Sequence, residues 1–357
     1  MQSKFAISDE QSIRLNILKF LMAIFVVYIH NNTLKVSFST ETVVTVIPQW
    51  FALMKYTVSE LISKCAVPCF FLMSSIFLYR RDFKWKDNTI KKIKSLLVPY
   101  FIMITFYIVV FAVCQSIPQT AVFFGNDYII AEFSVVTWFQ AYGIGARPLA
   151  GVLWSVRNLF ILNLLAPVIK FIIDRFPKIS IVVIVASYFL LPTTNIDYLQ
   201  IAELSMWCFG YLIVKCQVNI NKFDGNRWIP IIYIGTMVIC LILRDIEISV
   251  ISTVISRLGI AIGIIFWYSC FTNNLNGTIQ KLFQKYSKYN YGIYIFHYFP
   301  IIFATKLVTK VFGTHIYVLV LDYIFLPPII IVFSIIVCIV LKKLAPKTFS
   351  LLTGARI

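Results

Sequence analysis

The sequence predicts an all-α, polytopic integral membrane protein with about ten transmembrane helices. Composition is the first reason: of 357 residues, 60% are hydrophobic and 13% are charged, and the mean hydropathy is +0.85. Water-soluble domains carry about 25% charged residues. The chain therefore belongs in a bilayer. Since no loop is long enough for a soluble domain, we predict a single membrane domain over residues 1–357.

Ten apolar segments are the second reason. A helix that crosses the hydrocarbon core needs about 20 apolar residues, and most of the segments approach or exceed that length. The fifth and the seventh are shorter. The segments cover residues 13–33, 56–79, 95–114, 150–173, 179–193, 198–216, 228–243, 250–271, 291–310 and 317–341.

The lysines and arginines of the loops alternate in number along the chain. Seven of them lie from Arg80 to Lys94, in the loop after the second segment. The loops after the fourth, sixth and eighth segments and the C-terminal tail are also basic, whereas the intervening loops carry few cations. Cytoplasmic loops are enriched in Lys and Arg. We therefore expect both termini in the cytoplasm and a multi-pass location in the plasma or inner membrane.

The net charge of +17 has the same explanation. Positive loops facing anionic membrane lipids account for it, and we expect no nucleic-acid partner. No cleavable signal is visible, so we expect the first segment to be retained. The eight cysteines are scattered, without a CxxC motif or a Cys–His cluster, and neither a metal site nor a disulfide framework is expected.

The first apolar segment carries two ionisable residues on one face. Lys19 and His30 are eleven positions apart, which is three helical turns, or about 16 Å. Asn16 lies one turn before Lys19 on the same stripe. Ionisable groups inside a span are expensive and usually face a cavity or a partner. A signal anchor whose Lys19 reaches the cytoplasmic surface is the simpler alternative, but it leaves His30 unexplained.

This stripe resembles the first helix of the acyltransferase-3 family of membrane O-acyltransferases. The family pattern is a basic residue, ten intervening residues and a histidine, usually preceded by Arg and Asp. Here Lys19 and His30 take the basic and histidine positions, and Arg14 precedes them. Asn16 stands where the family usually has Asp.

The stretch from Lys91 to Tyr100 resembles a second family motif, a basic pair Arg-x-x-Arg before a proline and an aromatic residue. The pair is either Lys91 with Lys94 or Lys92 facing Ser95. An ordinary positively charged cytoplasmic loop explains the charges equally well, although it does not explain the proline and the tyrosine.

Residues 153–160 resemble the family's Leu-Trp-Phe-Leu-x-x-Leu helix, with Ser-Val in place of Phe-Leu. Arg157 follows Trp154 within this helix. A buried arginine needs an anion, a row of carbonyls or an aromatic face, and the sequence leaves these three alternatives open.

Residues 289–297 resemble the family's Phe-Gly-Ile-Tyr-Leu-x-His motif, in which Tyr294 and His297 take the Tyr and His positions. His297 is predicted to line the same cavity as His30. A core histidine that bonds a neighbouring helix is an equal alternative.

The resemblance implies an enzyme that moves an acyl group, typically acetyl, from cytoplasmic acyl-CoA to a hydroxyl of an extracytoplasmic glycan or lipid-linked sugar. Histidine can take and return a proton near neutral pH, so His30 is the predicted base. Its cationic form would need a partner from another helix, such as Glu203 or Tyr294. The predicted phosphate-binding residues for the donor are Lys19, Lys91, Lys92 and Lys94. The predicted cavity-lining residues are Asn16, Trp154, Arg157, Tyr294 and His297.

Two other functions remain open at this point. A transporter or flippase for a glycan would suit buried cations, although no inverted repeat or pair of broken helices is evident. A sensor without catalysis would not require His30. Arg257 and Lys64 could line a pore, or they could pair with Glu203 or Glu60.

Overall fold

Helices dominate the computed structural model, which describes residues 5–39, 41–81, 84–124, 128–191, 200–244, 249–270 and 277–354. In chain order they are α1 Asp9–His30, α2 Gln49–Lys55, α3 Ala66–Tyr79, α4 Trp85–Lys92, α5 Val98–Ser116, α6 Pro118–Ala121, α7 Val135–Ala141, α8 Trp154–Arg175, α9 Pro177–Leu190, α10 Ile201–Lys215, α11 Trp228–Leu243, α12 Ser249–Ser269, α13 Gly277–Ser287, α14 Asn290–Phe296, α15 Tyr298–Phe312, α16 Ile316–Leu344 and α17 Pro346–Thr353. Two π-helical turns, Tyr56–Ile62 and Ile93–Leu97, and three 3-10 turns, Ser63–Cys65, Ile130–Glu132 and Gly151–Leu153, extend or precede these helices.

Every apolar segment identified in the sequence contains a helix. Six helices of the described residues are long and apolar enough to cross a membrane, and α14 with α15 makes a seventh if this pair, bent by 49°, is one span. The six are α1, Gln49–Tyr79, Trp85–Ser116, Gly151–Arg175, Val250–Ser269 and α16. The helices α9 and α11 are apolar but shorter. The protein is thus a helical, multi-pass membrane protein, while the count of ten spans and the orientation of the termini stay predictions.

Proline marks several helix boundaries. Pro99 lies in the first turn of α5, and Pro177 begins α9 directly after the end of α8. A proline in the first turn loses no hydrogen bond, because that N–H has no partner within the helix. The break between α8 and α9 therefore follows from the local sequence.

The chain divides into two compact units. The first comprises Met1–Phe25, Tyr56–Lys92 and Asn158–Lys288. Its helices α3 and α10 pack closely because Gly210 has no side chain: a Cβ there would lie 2.5 Å from the carbonyl oxygen of Leu72. Small residues allow such close approach between membrane helices.

An ion pair anchors the start of α1 within the first unit. The buried Arg14 guanidinium donates to both carboxylate oxygens of Asp224, at 2.6 and 2.7 Å. It also donates to the carbonyl of Tyr268 at 3.1 Å and lies 4.0 Å from the centre of that ring. A bidentate pair of this kind fixes direction as well as distance. It holds α1 against the loop after α10 and the end of α12.

The second unit comprises Val26–Lys55, Ile93–Arg157 and Tyr289–Ile357. Within it, α15 packs beside α16 and against a small hairpin. The hairpin strands are β1 Lys35–Ser37 and β2 Thr42–Val44, antiparallel with Val36 opposite Val43. The prediction of an all-α fold misses this hairpin, whose three-residue strands are too short to show a pattern.

A cluster of phenylalanines holds the hairpin in place. Phe38, which follows β1, is buried with Phe123 and Phe124 after α6. Phe124 stacks on two rings of α15, Phe299 at 5.6 Å and Phe303 at 5.8 Å between centroids. Aromatic packing thus ties the hairpin to the helix that begins directly after His297.

Candidate active site

Two histidines, 267 positions apart in the chain, meet in the second unit. His30 is the last residue of α1, and His297 lies at the break between α14 and α15. Nε2 of His297 is 3.3 Å from Nδ1 of His30, and the ring centroids are 5.2 Å apart. His297 is 0% exposed, whereas His30 is half-buried.

Backbone carbonyls determine the tautomer of each ring. Nδ1 of His30 lies 2.8 Å from the carbonyl oxygen of Val26, and Nδ1 of His297 lies 2.9 Å from that of Ile293. Since a carbonyl only accepts, we assign the proton to Nδ1 in both rings. Nε2 of His297 then accepts from His30 Nδ1–H. Nε2 of His30 keeps its lone pair and is the basic atom of the pair.

The ring of Tyr298 packs against the histidine pair. Its ring meets the His30 ring edge-on, with centroids 5.4 Å apart. Gly151, in the turn before α8, makes room for it, because a Cβ on Gly151 would lie 2.6 Å from the Tyr298 hydroxyl oxygen. Tyr107 of α5 also packs on Tyr298, at 6.2 Å between centroids. Gly151 is therefore needed for close packing beside His30.

Tyr294 lies next to the pair but uses its hydroxyl elsewhere. Its ring centroid is 6.2 Å from that of His297. The hydroxyl donates to the carbonyl of Val152 and lies 2.6 Å from the Ser155 hydroxyl. A phenol has one proton, so Ser155 is the donor to Tyr294. These bonds join α14 to the start of α8, and the close partner of His30 is His297 rather than Tyr294.

Arg157 binds a row of carbonyls, one of the three alternatives left by the sequence. Its side chain is 8% exposed and donates to the carbonyls of Gly143 and Ala146, the latter at 2.9 Å. Gly143 has a φ of +82°, and a Cβ there would lie 2.5 Å from the Tyr100 hydroxyl oxygen. Arg157 thus stabilises the conformation of the loop before α8. Trp154 begins α8 and is half-buried.

The predicted donor-binding residues are placed as follows. In the first unit, Lys19 Nζ donates to Asn16 Oδ1 at 3.2 Å and lies 4.2 Å from the centre of the Phe77 ring. Asn16 and Lys19 therefore share one face, as predicted. Lys91 and Lys92 end α4, and Lys94 follows in the π-helical turn Ile93–Leu97. Their role in donor binding stays a prediction.

Lys64 and Arg257, the two other cations that the sequence singles out, have local partners. Lys64 pairs with Glu60 at 3.5 Å, one turn away on the same face. Arg257 donates to the carbonyl of Tyr188, and it interacts electrostatically with the buried Glu203 of α10. Among the residues that the structure describes, no three His, Cys, Asp or Glu side chains come together as metal ligands.

Three residues near the histidine pair or bonded to its neighbours were not predicted from the sequence: Asn31, Tyr298 and Asp322. Asn31 and Tyr298 directly follow the two histidines, and a neighbour of a motif residue carries no signal of its own. Asp322 did carry one, since it is the single acidic residue of the last apolar segment, 317–341. An ionisable residue in a span points to function by default.

The fold defines a multi-pass helical membrane protein, and the paired histidines are its candidate active site. A sequence profile of the acyltransferase-3 family, described as an acyltransferase domain, matches residues 12–343. The chain belongs to this family, which confirms the resemblance seen in the sequence and the prediction of an acyltransferase.

One curated relative is the succinoglycan biosynthesis protein ExoH of Rhizobium meliloti (strain 1021). It is 24% identical over 227 residues, which cover 60% of this chain and 56% of the relative. The match therefore spans little more than half of the relative's length. No solved structure matches the chain.

Proposed function

We propose that the protein is a membrane O-acyltransferase that moves an acetyl group from acetyl-CoA to a hydroxyl of an extracytoplasmic glycan or lipid-linked sugar. Family membership supports the acyl transfer, and the relative named for succinoglycan biosynthesis supports a polysaccharide acceptor. The observation that carries the mechanism is the contact between His297 Nε2 and His30 Nδ1.

His30 acts as the general base in this reaction. Its Nε2 takes the proton of the acceptor hydroxyl while the hydroxyl oxygen attacks the thioester carbonyl carbon. The carbon–sulfur bond then breaks, and the coenzyme A thiolate leaves with the bonding electrons. The proton on His30 Nε2 passes to that sulfur or to solvent, which returns the base to its neutral form. Transfer by a positioned base of this kind contributes about 10²- to 10⁴-fold in rate.

His297 stabilises the cation that forms on His30. The protonated ring still donates through Nδ1, and two acceptors face that atom: the Val26 carbonyl at 2.8 Å and His297 Nε2 at 3.3 Å. Hydrogen bonds to an ionised group are about twice as strong as neutral ones. The acceptor hydroxyl, His30 and His297 thus correspond to the nucleophile, the base and the group that orients the base in a catalytic triad.

The donor enters from the cytoplasm. Lys19 lies about 16 Å before His30 along the helix α1, and its ammonium group is suited to a phosphate of the donor. Lys91, Lys92 and Lys94 are further candidates for phosphate binding. This orientation rests on the basic loops, which we assign to the cytoplasm.

The test replaces His30 and, as a control, a second histidine outside the pair. His30→Ala and His30→Gln should insert, fold and bind coenzyme A normally, yet acetyl esters on the cell-surface glycan should fall by about 10²- to 10⁴-fold. Gln keeps a hydrogen bond but is no base, so it should fail as well. His315→Ala serves as the control, because His315 is exposed and its side chain makes no capping hydrogen bond to α16.

Full ester levels in His30→Ala would contradict the proposal. A glycan transporter needs no base, so it would tolerate both His30 variants.

A further inference from the structure

A polar cluster lies directly beyond His30 in the second unit. Asn31, which is 1% exposed, follows His30 and connects three helices. Its amide nitrogen donates to the backbone carbonyl of Asp322 at 3.3 Å, and its amide oxygen accepts from the Thr305 hydroxyl at 3.3 Å. The end of α1 is thereby joined to α15 and α16. Asp322 is therefore one hydrogen bond away from the residue next to the base.

The carboxylate of Asp322 is buried without a hydrogen bond of full geometry. It lies about two turns into α16 and is 6% exposed, and within the described ranges neither of its oxygens has a donor at hydrogen-bonding distance and angle. The Asn31 amide and Lys55 both interact with it, but the Asn31 amide donates to the Asp322 backbone carbonyl and the Lys55 ammonium donates to Asn32 Oδ1 at 3.2 Å. A buried carboxylate with so few donors is expensive. Because Asp322 is bonded to the residue that follows the base, its carboxylate is suited to a ligand that brings donors.

We propose that Asp322 is an acceptor-binding residue, which accepts hydrogen bonds from saccharide hydroxyls next to the hydroxyl that His30 deprotonates. This inference rests on the proposed function. A sugar presents several hydroxyls on neighbouring carbons, so one ring or two linked rings supply donors to Asp322 and the reacting group to His30.

The kinetic test uses Asp322→Asn, which keeps the shape of the side chain and removes its charge. A hydrogen bond to a charged group accounts for about a 10- to 150-fold difference in affinity. The KM for the glycan acceptor should rise by that factor, while the KM for acetyl-CoA and the kcat at saturating acceptor stay near wild type. Asp174→Asn is the matched control, because Asp174 pairs with Lys215 at 2.9 Å in the first unit.

The melting temperature of Asp322→Asn separates a role in binding from a role in packing. Removing a buried charge that lacks a hydrogen bond of full geometry should leave the melting temperature unchanged or raise it. If Asp322 instead served only the packing of α16, Asp322→Asn should melt earlier and both KM values should stay unchanged. That result would overturn the proposal, and so would a fall in kcat alone, which would indicate a proton relay.

A binding measurement separates this inference from the proposed function. Methyl glucoside and methyl galactoside are added to the detergent-solubilised protein without donor, and saturation-transfer NMR reports which sugar protons contact the protein. Wild type and Asp174→Asn should show transfer, and Asp322→Asn should lose it. No transfer in wild type, or equal transfer in Asp322→Asn, would overturn the acceptor subsite. Transfer that depends on Asp322 in a protein that makes no glycan esters would support the subsite and refute the acyltransferase proposal.

Discussion

Replacing His297 tests the contact on which the proposed mechanism depends. His297→Leu removes the acceptor that faces His30 Nδ1 and keeps a similar volume at a site that is 0% exposed. His297→Gln places an amide oxygen near the position of Nε2 and can still accept. A hydrogen bond to a charged group contributes about 1.5–3 kcal/mol. Its loss should therefore lower kcat by about 10- to 150-fold in His297→Leu, and His297→Gln should recover part of the rate.

The double variant decides whether the two histidines act as one unit. Because His297 acts through His30, adding His297→Leu to His30→Ala should lower the rate little further. The assay is transfer of labelled acetyl from acetyl-CoA to purified glycan, normalised to the amount of folded protein in the membrane. The reasoning would be refuted if the rate loss of the double variant equalled the product of the two single losses. It would also be refuted if His297→Gln were as slow as His297→Leu.

Three further substitutions test other parts of the structure. Lys19→Ala should weaken coenzyme A binding more than Lys19→Arg, which keeps the charge and the phosphate contacts; unchanged binding in Lys19→Ala would move the phosphate site elsewhere. Arg157→Ala should lower the melting temperature and the amount of protein in the membrane, since it strands two carbonyls at about 1–3 kcal/mol each; normal stability with lost activity would instead mark a site residue. Gly151→Ala should displace Tyr298, whose hydroxyl would lie 2.6 Å from the new Cβ, and reduce transfer, whereas Gly235→Ala, which has nothing within 4 Å, should stay active.

The sequence by itself determined the class of fold and the family. Hydrophobicity and segment length are local properties, so each apolar segment could be recognised without knowing its neighbours. The face shared by Asn16 and Lys19 also follows from helix geometry alone. The ordered motifs from Arg14 to His297 were sufficient for the family, because each depends only on residues close together in the chain.

Only the tertiary structure decided which residues meet. The span helices are apolar on most sides, so their sequences do not specify which face packs against which helix. The contact between His30 and His297, the carbonyl partners of Arg157 and the position of Asp322 beside Asn31 all depend on that packing. The tautomers, by contrast, follow from carbonyls four positions earlier in the chain, whereas the partner that each ring faces is 267 positions away. Local sequence thus defines the helices, and packing between distant helices creates the site.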